Sequence, residues 1–382
     1  MPYRSVDELQ KLLAENVFGH TTDAKKAAGR SLGTLIEIIT HYLIKQWGFD
    51  SYTTIEHKLQ EFANDKILHN VEFALNPKSK EFDVEIEGIS FPLTAKKIIG
   101  KFDELKEIKK FSSIKSVSIL SEYDDHKILK NSCKMAYDEA SNLVAVANLK
   151  DISTLNVSIV LDKPFAIFEC KRVGIEESAG KGPTTIEKAK QGAYVALHAS
   201  SFQKVRGLDG KMFGVIPKED DKFIIKPYKE GLQYLIKEAS IDELRNFILT
   251  VGVVSNHGNW FTSDNPNKEL LVLMQSYDWL LFLTDDALAQ FIEDLILDDK
   301  EDNYVRKAFL YSYVKPPPGK RKRNIFTKVN MSLDADQQIQ EYFSKNIDQI
   351  NNEWFNVIAP VGRDIEELKE QVDTLANKGW FP

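Results

Sequence analysis

"NVSIVLDKPFAIFECKR", Asn156 to Arg172, decides how the chain is read. Two apolar runs flank Asp162-Lys163, so the stretch predicts strand, two-residue turn, strand. Side chains alternate along a strand. Phe165, Ile167, Glu169 and Lys171 therefore share one face, and Ala166, Phe168 and Cys170 the other. A carboxylate and an ammonium at the end of a buried strand are costly as a mere structural pair, so they point to a sheet opening into a functional cleft. A turn at Asp162-Lys163 would pair Leu161 with Pro164 and bring Asn156 opposite Glu169; a proline in the first pair is compatible with an edge. Four other Glu-x-Lys runs begin at positions 56, 104, 107 and 367, but they lie in polar, helix-like surroundings and read as solvated faces.

Upstream, residues 5–16 read as a helix, and so does "GRSLGTLIEIITHYLIKQWGF". In the latter Leu32, Leu35, Ile36, Ile39, Tyr42, Leu43 and Trp47 recur at helical spacing, and Gly48 ends the run. "VEFALNPKSKEFDVEIEGISF" reads as a hairpin around Asn76-Pro77, and "NLVAVANL" as a strand. Downstream, "TTIEKAKQGAYVALHASSFQKVR" reads as a helix with Thr184 and Glu187 as a capping box. A helix follows over 228–238, with strands in "KMFGVIPK" and "RNFILTVGVVSN". From "NKELLVLMQSYDWLLFL" onward the pattern is mostly helical, broken by the loop "VKPPPGKRKRN". This order implies an α/β fold with a mixed sheet flanked by helices.

The predicted hairpin resembles the catalytic core of the PD-(D/E)xK nuclease superfamily, which includes most type II restriction endonucleases. The resemblance rests on Leu155 to Arg206, and more loosely on the helix around Glu37. It implies a restriction-endonuclease-like core with largely helical accessory regions. It also implies that Glu169 binds magnesium, that position 156 is the family's metal-binding aspartate, and that Lys171 supports the attacking water. Hard divalent ions take oxygen ligands, and phosphodiester hydrolysis needs a polarised water beside positive charge. Asn156 departs from this pattern, and Leu155 replaces the usual proline. Either Asn156 is an inactivating replacement of an aspartate, or the acid lies elsewhere. Asp151 could reach Glu169 only through a bend, and Asp162 sits at the far end of the hairpin.

The same resemblance makes Glu37 a further metal-site carboxylate and Gln191, four residues after Glu187 and a turn before Tyr194, a water- or phosphate-positioning residue. Lys188 and Lys190 become phosphate contacts. Residues 163–206 hold eight Lys or Arg against four Glu, and the loop at 315–323 adds Lys315, Lys320, Arg321, Lys322 and Arg323 without an acid. Such clusters suit phosphates. Asn256 and His257, in "SNHGNW" at a strand end, could read bases.

With 382 residues, 43% hydrophobic, the chain is long enough for two or three lobes. We expect N-terminal helices over 1–60, an accessory insertion over 61–141, the catalytic core over 142–260 and a mainly helical region with the basic loop over 261–382. No 18-residue apolar run or signal peptide is visible, and two cysteines without metal-finger spacing fit a reducing, cytoplasmic (bacterial) home. The expected activity is Mg2+-dependent, sequence-specific cleavage of double-stranded DNA by a homodimer within restriction–modification. The alternatives are a non-cleaving DNA-binding protein of nuclease fold, or a repair or recombination nuclease of the same superfamily.

Overall fold

The Glu-x-Lys strand is central, and its neighbours are not those the turn at Asp162-Lys163 predicts. In the computed structural model, which describes residues 4–173, 185–218, 222–256, 268–315 and 323–381, this strand spans Ala166–Val173. We label the strands and helices needed here in chain order. Strands β1 (Thr53–Glu61), β2 (Asn64–Leu75), β4 (Ala166–Val173), β5 (Leu249–Asn256), β6 (Trp279–Leu283) and β7 (Phe355–Ala359) form one six-stranded sheet, in the order β1-β2-β4-β5-β6-β7. β4 pairs in parallel with β5 along its whole length and antiparallel with β2. The sheet is therefore mixed, and with eleven α-helices among the described residues the chain is α/β.

Strand β3 (Thr154–Leu161), the expected partner of β4, belongs to a separate five-stranded sheet and pairs antiparallel with Leu143–Leu149. Asn156 faces Asn148 there, not Glu169. The reason is edge occupancy. An interior strand offers two edges, and β2 and β5 take both edges of β4. The intervening residues change sheets instead of turning. The Asp162 amide donates to Asn142 O, while the Phe165 amide donates to Leu75 O and Phe165 O accepts from the Leu249 amide. Pro164 has no amide to offer a ladder. The hairpin expected around Asn76-Pro77 fails in the same way, because β2 ends at Leu75 and the strand Lys78–Glu85 joins the five-stranded sheet.

The chain divides into two discontinuous compact units: residues 1–55, 80–162 and 283–355, and residues 56–79, 163–282 and 356–382. The segment 142–260, expected as one core, is thus shared: 142–162 falls in the first unit and 163–260 in the second.

In the first unit the helix Val6–Asn16 and helix α1 (Ala24–Gln46) follow the sequence reading. Leu32, Leu35, Ile36, Ile39, Tyr42, Leu43 and Trp47 are all buried, and Gly48 takes the positive φ of +86° that ends the helix. The Tyr42 hydroxyl donates to the wholly buried Asp336 at 2.7 Å, with Lys45 3.8 Å from the same carboxylate. This anchors α1 to the helix Leu333–Gln349.

In the second unit helix α2 (Thr185–Ala199) packs on β4, on β5 and on helix α3 (Lys268–Ser276). The predicted helix ends earlier than expected, and Gln203–Arg206 is a strand paired with Met212–Pro217. Ser200 stops it: its hydroxyl accepts from the amides of Phe202 and Ile248. The helical reading of the C-terminal third misses β6. Its five residues, Trp-Leu-Leu-Phe-Leu, are all buried, and an unbroken apolar run carries no period that separates strand from helix.

Asn156 is now explained by its own sheet. Its side-chain amide donates to Glu81 Oε1 at 2.6 Å and to Asp83 Oδ1 at 2.8 Å, and its oxygen accepts from Ser158. An aspartate could not donate and would put a third carboxylate between two others. Asn156→Asp should therefore destabilise the fold, by about 1–3 kcal/mol. Urea denaturation at neutral pH checks this, and unchanged or raised stability would contradict the assignment.

Candidate active site

Two carboxylates and one lysine meet on β2 and β4. The β2–β4 ladder pairs Ala166 with Leu75, Ile167 with Ala74 and Phe168 with Phe73. One step beyond the last of these pairs lie Glu72 on β2 and Glu169 on β4, and both carboxylates reach Lys171. Lys171, two residues on from Glu169, shares its face as the period-2 reading expects. Its Nζ donates to Glu72 Oε1 at 2.7 Å and to Glu169 Oε2 at 3.0 Å. The second Glu72 oxygen accepts from the Cys170 amide. Glu72 thus ties together the strand end and the lysine.

Sequence reasoning misses Glu72. The local signal is one acid inside the apolar run "VEFAL", where Val71, Phe73, Ala74 and Leu75 are all buried. Nothing nearby in sequence links it to Glu169, because a whole additional sheet is inserted between the two.

Burial sets the electrostatics. The Glu169 side chain is 3% exposed, Glu72 12% and Lys171 21%. Glu169 Oε1 is buried and has no hydrogen-bond partner among the described residues. Burial pushes the Glu169 carboxyl up to about 7, helped by the neighbouring charge of Glu72 and opposed by Lys171. For Lys171 burial acts downward, but the attraction of Glu169 and Glu72 outweighs it, so the ammonium is held above the ordinary lysine value and stays charged. The buried Tyr277 phenol is raised well above its usual value by desolvation, then by the charges of Glu169 and Glu72.

Among the described residues no group of three or more His, Cys, Asp or Glu side chains is arranged to hold a metal. The pair Glu72–Glu169 still fits a small hard cation, because Mg2+ is commonly held by one or two carboxylates and completes its shell with water and substrate oxygens. The orphaned Glu169 Oε1 is the observation that favours it: a buried carboxylate oxygen without a donor is costly, and a cation would satisfy it.

The remaining expected site residues divide between the two units and the residues outside those described. Asn156 lies in the five-stranded sheet of the first unit. In the same unit Asp151 accepts from Ser153 within its turn, and Glu37 pairs with the buried Lys328 at 3.3 Å. Gln191 is exposed on α2, next to Gly192, which borders Lys171. Lys188 and Lys190 lie on α2, but their side chains are outside the described residues. Asn256 ends β5 with its side chain likewise outside them; His257, Lys320, Arg321, Lys322 and the Thr184–Glu187 capping box fall there too. Arg323 is exposed, with its guanidinium 4.8 Å from the Tyr123 ring centre. Cys170 is buried, as its place on the apolar face predicts. No described helix is long and apolar enough to cross a membrane. No protein-family model, curated protein or solved structure matches the chain.

The raised Glu169 value makes stability depend on pH. The folded protein holds this proton more tightly than the unfolded chain, whose carboxyl titrates near 4.5. Its stabilising effect is complete below that value and is lost as pH rises to about 7. The loss is on the order of 3 kcal/mol. Urea denaturation across this range should show the decline in the native chain and a flatter profile in Glu169→Gln; parallel profiles would refute the assignment.

Proposed function

We propose that the chain is a magnesium-dependent endonuclease that hydrolyses phosphodiester bonds of double-stranded DNA, with a restriction-endonuclease-like core. One observation carries this reading: on adjacent antiparallel strands, Glu72 and Glu169 share the ammonium of Lys171. The arrangement supplies the acid, the Glu-x-Lys glutamate and the lysine of a PD-(D/E)xK site, with Glu72 in place of Asn156.

Each residue then has a task. Glu72 and Glu169 would hold the magnesium ion. When bound, the ion would polarise a phosphoryl oxygen and acidify a water. Lys171, kept charged by its two carboxylates, stabilises negative charge building on the phosphate and orients the attacking water. Glu169 releases its proton in favour of a cation, so Mg2+ should bind more tightly as pH rises through about 7.

The sequence alternatives, an inactivated enzyme or a natural non-cleaving DNA-binding protein, rest on Asn156; an acidic pair of Glu72 and Glu169 does not need position 156, which supports the cleaving form. Within the superfamily a sequence-specific type II restriction enzyme is the form proposed, acting as a homodimer on a two-fold symmetric site, because protein symmetry mirrors site symmetry.

The experiment is cleavage of supercoiled plasmid with Mg2+ or with a chelator, followed by mapping of the cut ends. Glu72→Ala, Glu169→Ala and Lys171→Ala should each lower the rate at least about 100-fold. Asn156→Ala should alter it by no more than about threefold, once allowance is made for the fraction folded. A fully active Glu72→Ala would sink the proposal.

A further inference from the structure

Lys171 has a long flexible stem, and its ammonium matters only where it points. Two glycines flank the space it occupies. Gly252 on β5 is the register partner of Glu169, and a Cβ built on it would stand 2.7–2.9 Å from three ring atoms of Tyr277. Gly192 on α2 is its counterpart above the sheet. A Cβ there would stand 2.6 Å from the Tyr277 hydroxyl and 3.3 Å from Lys171 Cε. The tyrosine ring therefore lies flat on the backbone beside Glu169, and its hydroxyl and the lysine stem share the gap under Gly192.

Tyr277 itself is firmly held. It is 1% exposed. Its amide donates to Leu273 O at 3.1 Å, and its carbonyl accepts from Lys204 Nζ at 2.7 Å. The next residue, Asp278, is locked to β5: its carboxylate accepts from the amide and the hydroxyl of Thr250, and its amide donates to Thr250 O. Lys204 lies 3.3 Å from Asp278 Oδ1, and Tyr228 donates to the same oxygen. This buried network holds the phenol beside the lysine stem.

We propose that Tyr277 is a positioning residue for Lys171: standing in the space left by Gly252 and Gly192, it forms the wall that aims the lysine ammonium at Glu72 and Glu169. The inference rests on reading Lys171 as the catalytic lysine. It adds that Gly192 must stay without a side chain for as long as Tyr277 carries its hydroxyl. A methyl at 192 pushes on a buried ring that cannot yield and on a lysine stem that can.

The test is a rescue. Gly192→Ala, Tyr277→Phe and the double variant are compared by acylation of Lys171 with an amine-reactive reagent, read by peptide mass mapping, and by kcat and KM for plasmid cleavage. Gly192→Ala should raise Lys171 labelling several-fold and lower kcat about tenfold with KM unchanged, as expected when a reacting group is misplaced. The double variant, with the hydroxyl gone, should recover both values. Should Gly192→Ala fail to fold, Tyr277→Leu, which removes the wall without adding volume, should give the same rise in labelling. Phe247→Leu, a buried change elsewhere in the same unit, should leave labelling unchanged. Unaltered labelling in Gly192→Ala or Tyr277→Leu, an absence of rescue, or an equal rise in Phe247→Leu each overturns the proposal. Labelling and rescue decide the positioning role even if the native chain cleaves no DNA, an outcome that counts against the nuclease reading alone.

Discussion

The second unit holds a single ammonium between a buried carboxylate, Glu169, and a half-buried one, Glu72. Lys171 alone in such a place would carry an unpaired charge, and Glu72 and Glu169 without it would repel each other. Together they nearly compensate, but three groups cannot satisfy every lone pair, and Glu169 Oε1 is left over among the described residues. A buried carboxylate oxygen without a donor carries a desolvation cost.

This constraint explains the surrounding architecture. The carboxylates meet only because β2 lies antiparallel against β4, and β4 is held in register by its parallel pairing with β5. Both edges of β4 are used, so the strand preceding it in sequence has no place beside it and serves another sheet. Helix α2 then closes over the same face, and it can approach because Gly192 has no side chain. Lysine, strand and helix are fitted to one another through the absence of two Cβ atoms.

The sequence reveals these relationships unevenly. Period-2 alternation places Glu169 and Lys171 on one face and Cys170 in the core, and helical spacing identifies α1 with its buried residues. Both signals are local, within one element. What the sequence hides is pairing between elements. The turn chemistry of Asp162-Lys163 argues for a hairpin, but turn preference is worth little against the burial of a whole strand between two others. Asn156 looks like a lost aspartate only under that pairing; against Glu81 and Asp83 it is an ordinary donor between two acceptors. Glu72 is invisible for the opposite reason, since its partner is defined by a ladder whose two strands are remote along the chain. β6 escapes because five consecutive buried apolar residues fit a helix or a strand equally well.

The excursion into another sheet between β2 and β4 also bears on how the molecule assembles. A ribosome delivers Glu72 well before Glu169 and Lys171, and β5 later still, so β2, paired with β1 on one edge, has its other edge open while roughly a hundred residues emerge. Closing so long a loop costs little more free energy than closing a short one, because the entropy grows only with the logarithm of length, but contacts of such wide separation form slowly. The contacts between β2 and β4 are thus of the slow-forming kind, and the three charges converge only when they are made.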